Sequence, residues 1–298
     1  MKNLIILLFT FYFMISPAHA AMNVFACEPE WAALAKEIGS DNVDVFSATR
    51  GTQDPHHISA KPSLLAGIRK ADLLICTGGG LEVGWLPILM QNAGANLQTG
   101  QPGNVMASDH ISLIGKLASV DRTMGDVHPE GNPHVQGNPA NMLVMAKVLA
   151  ERLSLIDPAN KTTYNNNLTA FTGKWNTLLK TWSVQATSLR GAKIVTYHDS
   201  WRYLFDWLGM TQIASLEPKP GIPPTASHLD QVLQNVNGSG ARIIILSPFD
   251  NDQAAKWLSG KTGMKIVRLP FTVGGIGNVN TLDELYAQSI SLLKEASK

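Results

Sequence analysis

The residues best suited to chemistry lie in the ten-residue stretch Gly125–His134, which contains two histidines, two carboxylates, two prolines and two glycines. Such a composition cannot bury an apolar face, so it predicts a loop that is stiffened for a chemical purpose. Pro133 restricts the backbone immediately before His134, and a predicted helix begins soon after it, so the imidazole projects from a rigid platform. We interpret His134 as a metal ligand; the alternative is a surface loop whose histidines meet only water.

Two further histidines follow predicted strands. The polar segment Gly51–His57 comes after the second predicted strand and ends in a histidine pair, and His198 directly follows the predicted strand Lys193–Tyr197. Because ligands of open α/β sheets bind beyond the carboxyl ends of the strands, His56, His134 and His198 are expected to meet in one cleft. Each of them alone could equally be a histidine with ordinary hydrogen-bond partners.

Three converging imidazoles favour zinc. Imidazole nitrogens bind Zn²⁺ at about 2.0–2.1 Å, and three such ligands with a carboxylate or water in the fourth position complete a tetrahedral site. Imidazole is mostly unprotonated at neutral pH, so metal binding would release few protons. The pattern therefore predicts a zinc site at His56, His134 and His198.

The elements that position these histidines alternate between strands and helices. This alternation predicts an α/β fold of two lobes, each with a parallel sheet flanked by helices, joined by one long rigid α-helix. The first lobe has predicted strands Met22–Ala26, Val43–Ala48, Leu73–Cys76 and Asn104–Ala107, and predicted helices Trp31–Ile38, Ser63–Arg69, Val83–Asn92 and Met142–Leu153. The second lobe has predicted strands Lys193–Tyr197, Gln212–Leu216, Arg242–Leu246 and Lys265–Leu269, and predicted helices Trp201–Leu208, Ala226–Asn235, Asp252–Ser259 and Leu282–Glu295.

The helix between the lobes is predicted from residues 158–189, where Gly173 is the one glycine or proline after Pro158. Its apolar residues recur every three or four positions and form one stripe, and its length would be about 45–50 Å at 1.5 Å per residue. We therefore divide the chain into a signal peptide (1–20), a first lobe (21–156), a linking helix (157–190) and a second lobe (191–298).

The first twenty residues form a predicted secretion signal. A positive residue precedes the apolar run of residues 4–15, and Ala18–Ala20 has the small-residue spacing of a cleavage site, so cleavage is expected after Ala20. The run is too short for an ordinary membrane span, and we expect an exported, soluble, periplasmic protein. One alternative places a lipid on Cys27, because Val24–Cys27 faintly resembles a lipoprotein acceptor site.

The two cysteines, Cys27 and Cys76, each end a predicted buried strand. If the two strands are neighbours, the thiols could form a disulfide, which an oxidising compartment preserves. Otherwise both residues would be buried free thiols that act as small apolar side chains. The sequence leaves these alternatives open.

Three histidine motifs in this order resemble the successive ligand motifs of the zinc and manganese solute-binding proteins of ABC importers. They are Asp54–His56 followed by Pro62 and Ser63, then Asn132–His134, and then Tyr197–Asp199 ahead of an aromatic helix. The resemblance spans the mature chain and implies that His56, His134 and His198 bind the metal. Manganese members usually carry a carboxylate at the third position, so the all-histidine set implies zinc, in agreement with the preference of imidazole.

The chain departs from that family in two places. The segment Leu269–Gly275, after the last predicted strand, lacks the aspartate that commonly supplies a fourth ligand. The remaining candidates are water and three carboxylates, Asp283, Glu284 and Glu217. The long histidine-rich loop of many zinc members is also missing, so any metal-gathering role would fall to His128, His57 or a separate partner.

We expect a protein that captures Zn²⁺, with Mn²⁺ as the second choice, and delivers it as a monomer to an ABC permease in the inner membrane. Its formal net charge of +1 argues against nucleic acid or an anionic membrane as the main partner. A zinc-dependent hydrolase is one alternative, although the sequence has no H-E-x-x-H motif and no clearly placed general base. A surface protein for metal storage or adhesion is the other, and it would bind several metal ions or a host ligand.

Overall fold

The computed structural model describes residues 20–116, 125–126 and 128–298, and these contain two four-stranded parallel sheets. The strands of the first sheet are β1 (Met22–Ala26), β2 (Val43–Ser47), β3 (Leu73–Cys76) and β4 (Asn104–Met106). They pair in the order β2-β1-β3-β4, and every pair is parallel. All four strands therefore end at one edge, and the loops after β2 and β4 carry His56 and His134.

Helices cover both faces of the first sheet, as the alternating pattern predicts. They are α1 (Pro29–Gly39), α2 (Pro62–Lys70), α3 (Leu86–Met90) and α4 (Asn141–Ile156). Successive residues of β1 face opposite sides, so Val24 packs with α1 and α4 whereas Phe25 packs with α2. The third helix is shorter than the predicted segment Val83–Asn92, because Pro87 lies in its first turn and residues 81–85 form turns.

The long helix α5 (Lys161–Gln185) has 25 residues and is therefore about 37 Å long. It is shorter than the predicted 45–50 Å, because 3₁₀ turns at Pro158–Asn160 and Thr187–Leu189 replace its two ends. At its start, the carboxylate of Asp157 accepts a hydrogen bond from Asn160, which favours a tight turn. The fully buried residues of its apolar stripe are Tyr164, Phe171, Trp175 and Trp182.

The second sheet repeats the strand order of the first. Its strands are β5 (Lys193–Thr196), β6 (Thr211–Ser215), β7 (Ile243–Leu246) and β8 (Lys265–Arg268), and they pair in parallel in the order β6-β5-β7-β8. Its helices are α6 (Arg202–Leu208), α7 (Ala226–Val236), α8 (Gln253–Thr262) and α9 (Leu282–Ser297). The predicted α/β fold of two sheets and a long helix is confirmed, and His198 follows β5 at the ligand-binding edge.

Aromatic residues of α5 and α9 connect the two lobes. Trp175 and Trp182 both pack against the ring of Tyr286. The Tyr286 hydroxyl donates a 2.7 Å hydrogen bond to the carbonyl of Gln136, and the Trp175 indole donates one of 2.7 Å to the carbonyl of Pro139. Both acceptors lie just beyond His134, so this aromatic contact supports the loop that carries it.

A disulfide joins Cys27 and Cys76, whose Cα atoms are 4.8 Å apart. The two residues meet because β1 and β3 are neighbours in the sheet. Of the alternatives that the sequence left open, the paired cysteines are therefore the correct one. Cys27 is also fully buried, so its sulfur is not available to carry a lipid.

No helix within residues 20–116, 125–126 and 128–298 combines the length and the apolar character that a membrane crossing requires. The predicted signal segment lies, except for Ala20, outside the described residues, and cleavage after Ala20 stays a prediction. The division into lobes at residues 156 and 190 also stays a prediction.

Candidate metal centre

Three histidines from three different loops meet in the cleft between the lobes. One ligand atom from each of His56, His134 and His198 can be chosen so that all three lie within 4.8 Å of one another. Their ring centroids are 5.3–5.5 Å apart, and the rings face one another edge to face. The structure thus brings together the three residues that the strand-end rule selected.

Carboxylates orient two of the rings. The Nδ1 atom of His56 lies 2.8 Å from the Asp54 carboxylate, and Nδ1 of His198 lies 2.7 Å from the Glu217 carboxylate. Because a carboxylate only accepts hydrogen bonds, these contacts place the ring proton on Nδ1 and leave Nε2 with a free lone pair. This is how proteins prepare a histidine for a metal ion.

His134 is almost completely buried, with 1% of its surface exposed. Neither of its ring nitrogens has a hydrogen-bond partner among the described residues, although its backbone N–H donates to the Asn132 side chain at 2.9 Å. Leaving a buried polar atom without a partner costs about 1–3 kcal/mol. A metal ion would supply the missing partner, so this ring supports the interpretation made from the sequence.

From its sequence context we expected only a minor role for His128, yet its ring lies against the same cluster. Its Nε2 atom lies 3.3 Å from Nε2 of His56, and its ring centroid lies 6.4 Å from that of His134. His57 lies outside: its side chain is 63% exposed, and its Nε2 is 3.3 Å from the Asp126 carboxylate. The one sequence signal for His128 was its place in the same loop as His134.

The electrostatics of the cluster keep two of its rings, His128 and His134, uncharged. Burial lowers the pKa of His134 well below its usual value, and the neighbouring histidines lower it further. Burial, followed by the charges of His56 and His198, lowers the pKa of His128 to about 3. His198 differs: burial lowers its pKa, but the hydrogen bond and charge of Glu217 outweigh this effect and raise the pKa overall. Uncharged rings are the form that binds a metal.

Two of the proposed fourth ligands are wrong. Asp283 lies 3.4 Å from the Lys174 ammonium, and Glu284 accepts hydrogen bonds from the backbone at the start of α9, at Asn280 and Thr281. Both carboxylates therefore serve α9 and do not line the cavities that contain the histidines. The third candidate, Glu217, does border the cluster, but through its hydrogen bond to His198.

The histidines line two small adjoining cavities. One has a volume of about 270 Å³ and contains His56, His198, Glu217 and Asp250, and the other has a volume of about 250 Å³ and contains His128, His134 and His198. Burial raises the pKa of Asp250 to about 6, although a hydrogen bond from Ser247 opposes this. Cavities of this size, lined by ring nitrogens and carboxylates, suit an ion better than an organic solute.

Hydrogen bonds between the lobes hold the cleft together. The Asn132 side chain donates to the carbonyl of Asp199 at 2.7 Å, and the Tyr203 hydroxyl donates to the carbonyl of Asn132 at 2.8 Å. The Asp126 backbone N–H donates to the carbonyl of Pro220 at 2.8 Å. The loop that carries His128 and His134 is therefore attached to the second lobe on both sides of His128.

Comparison with known proteins gives one family for nearly the whole chain. The family model described as "ZnuA: Zinc-uptake complex component A periplasmic" matches residues 24–296. A crystal structure of ZnuA has a TM-score of 0.73 and 22% sequence identity, and the match covers 92% of this chain and 98% of that one. At this identity the structural match shows the fold.

The curated relatives are named for different metals. The manganese ABC transporter substrate-binding lipoprotein PsaA of Streptococcus pneumoniae is 25% identical over 84% of this chain and 80% of its own length. The iron ABC transporter substrate-binding lipoprotein MtsA of Streptococcus pyogenes is 27% identical over 73% of this chain and 70% of its own. The zinc-binding lipoprotein AdcA of Streptococcus pneumoniae is 23% identical over 77% of this chain and 46% of its own.

Proposed function

The chain belongs to the ZnuA family of zinc-uptake components, and we propose that it captures Zn²⁺ in the periplasm and delivers it to an ABC permease. The family that the histidine motifs indicated is confirmed. The protein is a metal-binding, substrate-binding protein of ABC importers and not an enzyme, so the hydrolase alternative is excluded.

One observation carries the choice of zinc: the three converging residues His56, His134 and His198 offer nitrogen atoms. Zinc accepts imidazole nitrogens in a tetrahedral shell, whereas manganese prefers carboxylates, carbonyls and water in an octahedral one. The relatives are named for zinc, manganese and iron. The choice for this chain therefore follows from its own donor atoms, and we assign His56, His134 and His198 as zinc ligands.

Capture requires the rings to move closer together. The chosen nitrogen atoms lie within 4.8 Å of one another, whereas two nitrogens bound to one tetrahedral zinc ion are about 3.3–3.4 Å apart. A small rocking of one lobe against the other brings His198 closer to His56 and His134, and the continuous core along α5 opposes a wide closure. Release at the permease reverses the movement, because the ligands come from both lobes.

We also propose that the signal segment is removed after Ala20 and that the mature chain acts as a monomer in the periplasm. X-ray scattering with and without zinc tests the monomer and the small movement together. A change of several ångströms in the radius of gyration on zinc addition would contradict the rocking.

The decisive experiment is a zinc titration of the purified metal-free protein against a competing chelator. We expect one tight zinc equivalent in the wild type, and an affinity at least about 100-fold lower in each of His56→Ala, His134→Ala and His198→Ala. His110→Ala is the matched control, because His110 is exposed and lines neither of the cavities that contain the histidines. Binding by the three variants that equals the control would refute the zinc site, and several equivalents in the wild type would favour metal storage.

A further inference from the structure

The position of His128 is the one expected of a metal ligand. Its Nε2 atom lies 3.3 Å from Nε2 of His56. Two nitrogens bound to one tetrahedral zinc at about 2.0–2.1 Å are separated by about 3.3–3.4 Å. The spacing of this pair is therefore already that of two ligands of one ion.

The far side of each ring fixes which nitrogen is free. His56 Nδ1 faces the Asp54 carboxylate at 2.8 Å, so it must carry the proton and leave Nε2 bare. The His128 ring has a hydrogen bond with the main chain of Gly79, and a Cβ built at Gly80 would lie 3.1 Å from its Nδ1. With Nδ1 of His128 turned to the main chain, its Nε2 is also bare.

Two bare nitrogen lone pairs facing each other at 3.3 Å repel unless a positive charge lies between them. The same region receives Nε2 of His198, whose Nδ1 is held by Glu217, and the buried ring of His134. His128 thus joins the group of His56, His134 and His198 through its contact with His56, and three of the four rings have their second nitrogen anchored by an oxygen acceptor. Such anchoring is the usual support of metal-bound histidine.

The two carboxylates of the second lobe that line the cavity of His56 and His198 each have one oxygen engaged in other hydrogen bonds. One oxygen of Glu217 accepts hydrogen bonds from His198 at 2.7 Å and from the Gly221 backbone at 3.0 Å. One oxygen of Asp250 accepts a 2.6 Å hydrogen bond from the Ser247 backbone. The segment Leu269–Gly275 contributes no carboxylate and packs Phe271 against the His134 ring.

We propose that His128 is the fourth ligand of the transported metal, which is then held by His56, His128, His134 and His198. This inference rests on the proposed function and names the residue that completes the same site. Four nitrogen ligands and no oxygen make a closed tetrahedral shell, which suits zinc and disfavours the oxygen-rich octahedral shell of manganese. The loop Gly125–His134 would then supply two of the four ligands.

X-ray absorption at the zinc edge, on the full mature chain loaded with one zinc equivalent, counts the imidazoles directly. We expect four in the wild type and in His110→Ala, and three with one oxygen neighbour in His128→Ala. The zinc affinity of His128→Ala should fall at least tenfold, with the preference for zinc over manganese reduced. Thermal unfolding of the metal-free proteins checks that the variant folds like the wild type.

The outcomes separate the two proposals. Two results would overturn the role of His128 and leave the three-histidine site intact. One is a wild type with only three imidazoles bound to zinc, and the other is a zinc affinity of His128→Ala equal to that of His110→Ala. If His134→Ala also keeps its affinity, the proposed function itself fails. If the rings of His56 and His128 share a hydrogen bond and do not share the metal ion, only three imidazoles will be bound to zinc in the wild type.

A second variant tests the placement of the ring without removing it. Gly80 has a φ of +88°, and a Cβ there would press on Nδ1 of His128. We expect Gly80→Ala to weaken zinc binding in the wild-type background and to have little further effect when His128 is already alanine. Equal losses in both backgrounds would mean that Gly80 acts through the general fold and would count against a bound His128.

Discussion

Two clusters of buried ionisable residues lie in this molecule, and they solve the problem of buried charge in opposite ways. One is the histidine cluster of His56, His128, His134 and His198. The other, which we call the carboxylate cluster, consists of Glu28, Glu30 and Glu82, all with 2% or less of their surface exposed. Both connect loops at the strand ends, and both are costly to bury unless something neutralises them.

The carboxylate cluster is neutralised by protons and by hydrogen-bond donors. Glu82 accepts backbone hydrogen bonds from Thr77 at 2.8 Å and from Gly78 at 3.0 Å, and Glu30 accepts one from the Thr272 hydroxyl of the second lobe. Burial raises the pKa of Glu30 and of Glu82 to about 7, although hydrogen bonds lower each of them in part. These groups therefore hold protons near neutral pH.

The histidine cluster instead turns free ring nitrogens inward, and burial lowers the pKa of two of its members, His128 and His134. Its second nitrogens are anchored by Asp54, Glu217 and the main chain near Gly80, so the lone pairs have nowhere else to point. Burial alone thus does not distinguish a metal site from a structural cluster. The distinction lies in the inward atoms: the histidine cluster presents ring nitrogens to a common space, whereas the carboxylate cluster combines oxygens that accept hydrogen bonds with oxygens of Glu28 and Glu30 that have no partner among the described residues.

The sharpest test of this contrast is to remove one buried residue from each cluster. His134→Ala should abolish tight zinc binding, with a loss of at least about 100-fold, whereas Glu82→Gln should leave the affinity within about twofold. Glutamine keeps the shape of Glu82 and can still accept the backbone hydrogen bonds. Chelator competition measures both. A large loss in Glu82→Gln would show that the carboxylate cluster belongs to the metal site.

The convergence of His56, His134 and His198 could be predicted because it depends on a local rule: each follows a strand, and parallel strands end at one edge. His128 could not, because its position depends on a contact with Gly79 and Gly80, which lie far away in the sequence. The disulfide stayed open for a similar reason, since the sequence does not say that β1 and β3 are neighbours. Asp283 and Glu284 were wrong because acidic residues at a helix start serve the helix first.

The carboxylate cluster has a covalent support that the histidine cluster lacks. The disulfide joins Cys27 to Cys76, the residues directly before Glu28 and Thr77, and closes a loop across a sequence separation of 49 residues. Replacing both cysteines with alanine should lower the free energy of unfolding by about 4 kcal/mol. Denaturant unfolding under non-reducing conditions measures this.

The same cysteine variant should still bind one zinc ion, because no histidine of the site contacts the disulfide. The matched control is the wild type in a reducing agent, which should approach the stability of the variant. Loss of zinc binding in a variant that remains folded would mean that the two clusters are coupled.

Protonation of the carboxylate cluster predicts a pH effect on stability. The pKa of Glu30 is raised from 4.5 to about 7 in the folded protein, so its contribution is fully present below pH 4.5 and is lost as the pH rises through 7. Glu30→Gln removes this dependence, and its stability relative to the wild type should rise by up to about 3 kcal/mol between pH 5 and pH 8. Chemical unfolding of the metal-free proteins at several pH values measures the difference. A constant difference would show that Glu30 titrates normally.

The smallest predicted effect concerns the anchors of the histidine cluster. Glu217→Gln keeps a hydrogen-bond acceptor for Nδ1 of His198 but removes its charge, so the ring becomes a weaker ligand and zinc affinity should fall about tenfold, or about 1.4 kcal/mol. Glu151→Gln is the control, because that carboxylate is exposed on α4 and pairs with Lys147 away from both cavities. If Glu217→Gln and the control bind zinc equally well, the charge of the Glu217 carboxylate does not affect zinc binding by His198. The contrast with the carboxylate cluster would then depend on the position of the rings alone.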